Sequence, residues 1–287
     1  MTYDTPQALR IALEQRLLNQ SRASGVSLDR LRRRVVFERV VARLQVAEPG
    51  QWVLKGGMAL EVRLRDAARL TKDIDLGLRA PDVEPTGLHE RLVEALAQDP
   101  YTDRFMLRAG PIARLIDGGG WVTLRSSVDA DLAGKPFGRV QLDVSPRGHE
   151  LEQTDTVPLP NSLAFAGIET PTIEIVDLHR HAAEKYHAML KDFGERENSR
   201  VRDLVDLVIL CEHDQLEPGQ LRSAAARVWR EREDADPPRH LPALSPSWPE
   251  RYERTAHDHD LTTTSFAAAV ETVSALWAAM FATSEES

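Results

Sequence analysis

Asp73 and Asp75 are separated by one apolar residue, Ile74, inside the alternating run Asp73-Ile74-Asp75-Leu76-Gly77-Leu78. Alternation of this kind predicts a half-buried strand, in which residues two apart point to one face. The two carboxylates then stand side by side, and like charges that close repel unless a cation lies between them. Oxygen-only ligation suits Mg²⁺, which takes a few carboxylates together with substrate phosphates and water. Asp143 lies in a second alternating run, Arg139 to Ser145, where Val140, Leu142 and Val144 would face the core. If the two strands are neighbours, three carboxylates converge, the arrangement for two-metal phosphoryl or nucleotidyl transfer, in which one ion activates the attacking hydroxyl and the other holds the triphosphate. Upstream, Gly56-Gly57 opens a short helical pattern after Lys55. A glycine pair there lets backbone amides come close to phosphate oxygens. Two aspartates alone are common on a solvated strand face; the glycine pair and the later strand aspartate make the constellation specific.

Basic residues add a second signal. Only five of the 36 are lysines: Lys55, Lys72, Lys135, Lys185 and Lys191. Where arginine is so strongly preferred, a remaining lysine marks a place that wants a compact ammonium on a flexible stem. Lys185 shares a helical face with Leu178, Ala182 and Met189, so it either snorkels to water or reaches into a cleft. Asp203 and Asp206, three apart on the next helical segment, can both face that cleft. Arg30, Arg32, Arg33, Arg34 and Arg39 crowd the N-terminal region, where residues 1–44 hold nine arginines against four acids. Such a segment is either a solvated helix face or a track for an RNA backbone.

The elements that must position these groups follow from periodicity. Helices are predicted over residues 6–20, 27–47, 86–98, 174–192, 200–212, 217–232 and 264–282, with a short one after Gly57. Besides the Asp73 strand, strands are predicted over 104–108, 121–128 and 138–145, with an irregular Pro-rich stretch over 237–249. The chain thus divides into a mixed part, residues 1–165, and an all-helical part, residues 166–287, with the latter expected to complete the active-site cleft. A net charge of −9 argues against a generic nucleic-acid coat protein. The absence of a long apolar run, the charged N-terminus and the single Cys211 point to a cytoplasmic protein without a membrane span or disulfide.

The stretch LKGGMALEVRLRDAARLTKDIDL resembles the first motifs of the AbiEii/MenT-type nucleotidyltransferase toxins, members of the DNA polymerase β-like nucleotidyltransferase superfamily. The likeness continues through Glu184-Lys185-Tyr186-His187-Ala188 and through Arg200 to Leu207, and spans about residues 30–255. It implies an α+β fold: a nucleotidyltransferase core with a mixed sheet, then a C-terminal helical domain, bilobed as a whole. It also implies an Mg²⁺-dependent enzyme that transfers NMP from NTP to the 3′ end of tRNA, blocking translation, with a cognate antitoxin as partner. By the resemblance Asp73 and Asp75 are the metal-binding pair and Gly56-Gly57 the phosphate-contacting turn. Lys185 meets the triphosphate, Asp206 is the acid of the last motif, and Asp143 fills the third-carboxylate position. Lys55, Arg69, Thr71, Lys72 and Asp203 join the nucleotide-binding set. From position alone, Thr71 stands two residues before Asp73, so on an extended segment its hydroxyl shares that face and is a candidate point for modification by the antitoxin. A small-molecule or protein acceptor, and a non-catalytic nucleotide- or partner-binding role, remain open alternatives.

Overall fold

In a computed structural model, which describes residues 3–65, 71, 73–80, 83–116, 120–194, 197–213, 215–259 and 261–282, the helices begin and end at caps the sequence offers. The hydroxyl of Thr5 accepts from the Ala8 amide and Pro6 takes the first helical position, starting α1 (Pro6–Ser24), which Gly25 ends in a left-handed conformation. Ser27 caps α2 (Leu28–Ala47) in the same way. Then come β1 (Trp52–Lys55), α3 (Gly56–Leu64), β2 (Asp73–Leu78), α4 (Pro85–Ala97), β3 (Phe105–Ala109), β4 (Ala113–Ile116), β5 (Val122–Leu132), β6 (Lys135–Ser145), β7 (Thr154–Pro158) and β8 (Thr172–Val176). The remaining helices are α5 (Leu178–Leu190), α6 (Val201–Glu212), α7 (Pro218–Glu233), α8 (Pro249–Asp258) and α9 (Phe266–Ala282). The fold is α+β. The chain forms two compact units, one of residues 1–63 and 70–176, the other of residues 64–69 and 177–287.

The first unit is built on a mixed sheet. Among the described residues its order is β3-β5-β6-β2-β1-β8-β7, with β4 also paired to β5. β2 runs parallel to β6 and antiparallel to β1, while β1 and β8 are parallel. The inward side chains Ile74, Leu76, Leu142 and Val144 are buried, as the alternation requires. α2 packs behind β6 and is buried around nearly its whole circumference from Val35 to Leu44. Its charged residues are therefore internal. The Arg43 guanidinium donates to the carbonyls of Leu96 and Phe105 and to Asp103, at 2.6–2.7 Å. Glu38 accepts from the amide and the hydroxyl of Ser162, both at 2.8 Å.

The second unit is helical over its described residues. Tyr186, Trp229 and Trp277 stack at its centre; the Tyr186 hydroxyl donates to the carbonyl of Val273 and the Trp277 indole to that of Pro238. Trp248 is fully buried and donates to the carbonyl of Asn198, so it pins its Pro-rich loop.

Three local expectations change. Residues 174–176, read as the start of a helix, belong to β8: Ile173, Ile175 and Val176 are β-branched and buried, and the helix starts only after Asp177 caps it through the Arg180 amide. β4 and β7 are additional strands, too short and too exposed to carry a strong alternation. α8 forms where Pro249 takes the first helical position, within a stretch that composition alone reads as loop.

Glu38 gives this core a pH dependence. Burial pushes its pKa up from 4.5 to about 7. A raised carboxyl contributes stability that is fully present below the unfolded value and lost as pH rises through the folded one. Relative to Glu38→Gln, the wild-type protein is expected to lose roughly 3 kcal/mol of unfolding free energy between pH 4.5 and pH 8. Urea titrations of both proteins across that range check it; parallel pH profiles would refute the internal neutral acid.

Candidate active site

The sheet register aligns four charged residues in a single row. Lys55 of β1 lies opposite Asp75 of β2, Asp75 opposite Asp143 of β6, and Asp143 opposite Arg125 of β5. Cross-strand partners share a face, so all four project to the side away from Leu76 and Leu142. Asp73, two residues before Asp75, joins that face opposite Gln141. The three carboxylates expected to converge are thus neighbours.

What surrounds them explains how they coexist. Gly56 has φ +59°, and a Cβ built there would stand 2.6 Å from the Asp75 carboxylate carbon. Glycine is needed twice over, for the left-handed turn between β1 and α3 and for the room it leaves Asp75. Gly57 is buried in the first turn of α3. The Lys55 ammonium turns to Glu150 at 2.6 Å, where Arg147 also reaches the carboxylate at 3.2 Å. Thr71 precedes β2, and its amide donates to Glu61 of α3. Arg69 and Lys72 lie outside the described residues.

Arg125 is the residue that sequence reasoning missed. Its guanidinium forms two bonds to Asp143, Nε to Oδ1 and Nη2 to Oδ2, both 2.7 Å. The bond to Asp143, and the charges of Asp143, Asp73 and Asp75, hold its proton more tightly than usual. Only the strand register places it there, and one arginine in a strand of alternating residues gives no such sign.

The second unit carries its own charged cluster. Lys185 on α5 is almost fully buried, with its ammonium 2.6 Å from Asp206 and 3.3 Å from Asp203, both on α6. The i,i+3 spacing of the two acids puts them on one helical face, as expected.

The arginines of α2 do not form one surface. Arg30 is exposed, and Arg33 pairs with Asp29 one turn earlier. Arg32 is bound to Glu14 of α1, and Arg34 to Glu61 of α3. Arg39 is fully buried beside Glu38 and Asp103, so it cannot meet an RNA backbone; this corrects its assignment to that set.

Comparisons with known proteins give the family and the fold. Residues 39–283 match the model of the family described as the nucleotidyl transferase AbiEii toxin of a type IV toxin–antitoxin system. Among solved structures the fold is similar to MenT4, a nucleotidyltransferase toxin from Mycobacterium tuberculosis H37Rv, with TM-score 0.59, 16% identity, and 93% of this chain and 89% of that one covered. An antigenic nucleotidyltransferase-like protein from Paracoccidioides brasiliensis is more distant, at TM-score 0.42 and 15% identity over 70% of this chain and 89% of that one. So is the Megavirus polyadenylate synthase, at 0.38 and 12% over 74% and 37%. No curated protein sequence matches the chain.

The Gly56 geometry is testable against a reference within the same protein. Gly25 also has positive φ, but nothing lies within 4 Å of its added Cβ. Gly25→Ala is expected to cost about 1–2 kcal/mol from backbone strain alone. Gly56→Ala should cost more, since the methyl group also displaces the Asp75 carboxylate. Equal losses by thermal or urea unfolding would show that Asp75 does not need this space.

Proposed function

Because the chain belongs to the AbiEii family of nucleotidyltransferase toxins, we propose that it transfers NMP from an NTP to the 3′ end of tRNA and thereby inhibits translation. The observation that carries this reading is the in-register placement of Asp75 against Asp143, with Asp73 on the same face. In the reaction the acceptor hydroxyl oxygen bonds to the α-phosphorus as the bond to the bridging oxygen breaks, and pyrophosphate leaves. Asp73 and Asp75 offer oxygen donors only, which fits Mg²⁺, and they would hold it. When bound, the ion supplies positive charge to the triphosphate and the attacking hydroxyl.

The chain's own residues do the rest. Gly56 and Gly57 open the N-terminal turn of α3, where backbone amides can donate to phosphate oxygens. Asp75 is kept in place by the room Gly56 leaves it. Lys185 is assigned to the triphosphate by the family motif it occupies, and Asp206 and Asp203 accept from its ammonium and orient it. Arg30 and Arg33, at the more exposed end of α2, are suited to an RNA backbone. A toxin of this family also has an antitoxin partner, the proposed source of its control.

Incubation with total RNA and each labelled NTP tests the acceptor: label in tRNA supports the proposal, whereas label in protein or in a small molecule assigns a different acceptor. Asp73→Ala or Asp75→Ala should lower transfer at least about 100-fold while leaving the circular dichroism spectrum unchanged. A variant with near-normal Mg²⁺-dependent activity would sink the metal assignment. Replacing Arg30 and Arg33 together by Gln should weaken RNA binding and reduce the slope of log K against log salt by about 1–2, with NTP binding unchanged. Loss of NTP binding instead would place these residues in the nucleotide site.

A further inference from the structure

The third carboxylate of the row is already engaged. Both oxygens of Asp143 are taken by the Arg125 fork, each at 2.7 Å. The pair is fixed by register, since Arg125 and Asp143 are direct partners across β5 and β6. Other cross-strand bridges occur on these strands, among them Arg139 with Asp129 and Arg108 with Asp131. Those acids are tied only into surface bridges. Asp143 differs in its other neighbour, because it stands opposite Asp75 on the far side. Its side chain is also the least exposed of the three acids, at 14% against 39% for Asp129 and 20% for Asp131. The guanidinium therefore sits where it neutralises one member of a carboxylate pair, and a dication drawing on Asp143 would meet a fixed positive charge.

We propose that Arg125 is a positioning residue that keeps Asp143 out of the metal's coordination, leaving a two-carboxylate metal site at Asp73 and Asp75 beside a fixed guanidinium. This rests on the reading of Asp73 and Asp75 as metal ligands. Arg125 does in covalent form what a second cation does elsewhere: it offsets the charge of the third acid. Its planar fork, which matches both carboxylate oxygens, makes the arrangement specific to arginine.

The test measures Mn²⁺ binding to the full chain without nucleotide, by the electron paramagnetic resonance signal of free Mn²⁺. Arg125→Gln releases Asp143 and should tighten Mn²⁺ binding at least tenfold or add a second ion. The pair Arg125→Gln with Asp143→Asn keeps the net charge of the row and a cross-strand hydrogen bond; it should return the affinity to within about twofold of wild type. The half-exposed position of Arg125 makes both proteins foldable. Unchanged or weaker binding in Arg125→Gln overturns the proposal, as does a tenfold loss in the double variant, which would make Asp143 a ligand in the native protein. Asp75→Asn separates this from the parent reading. Loss of Mn²⁺ binding there supports the metal site whatever Arg125 does, whereas unchanged binding removes the site and this inference together.

Discussion

Asp75 and Asp143 stand directly opposite each other across two parallel strands, and the rest of the first unit is arranged around that repulsion. Lys55 flanks the pair on one side and Arg125 on the other, so the row alternates from cation through two anions to cation. Parallel strands cannot be joined by a tight turn. The connection from β2 to β6 accordingly runs through α4, β3, β4 and β5, and it brings β5, with Arg125, to the outer edge of β6. The connection that parallel pairing demands is the one that delivers the counter-charge. On the other flank β1 enters antiparallel and turns at Gly56 directly into α3, which leaves the Asp75 carboxylate resting against backbone.

Behind the sheet, α2 solves a different problem with the same residue type. A helix buried on all sides would ordinarily be apolar throughout. This one carries Glu38, Arg39 and Arg43. Arg43 ties α2 to the end of α4 and the start of β3 by three bonds to fixed acceptors. Arg39 lies between Glu38 and Asp103, and burial draws its pKa down while pushing those of the two acids up. The same helix face that reads as a basic track in sequence is, from Val35 onward, a structural pin. Only the first turns keep arginines that can face solvent.

This divides what sequence could show from what it could not. The β2 alternation, the glycine pair, the Lys185 helix and the i,i+3 acids are local patterns, and local geometry carries them directly into structure. Asp143 was legible as facing the right way but not as a neighbour, because register depends on pairing between distant segments. Arg125 was illegible for the same reason. Arg39 was misplaced because charge counts do not tell a solvated helix from a buried one. The last three residues of β8 read as helix because they run into a strong helical pattern, and the boundary depends on Asp177 serving as a cap.

The two charged clusters are each internally compensated. In the first unit Asp73, Asp75, Asp143 and Glu150 are set against Lys55, Arg125 and Arg147. In the second, Lys185 is set against Asp203 and Asp206. A buried charge left without its partner costs several kcal/mol, so clusters of this kind let each unit fold without waiting for substrate. The balance differs between them: in the first set the four acids outnumber the three cations, whereas in the second Arg200 also lies 4.0 Å from Asp203. Around Asp73 and Asp75 that residual negative charge favours a cation. Under the proposed reading, an anionic triphosphate reaches the carboxylates of the first cluster together with a metal that offsets their charge.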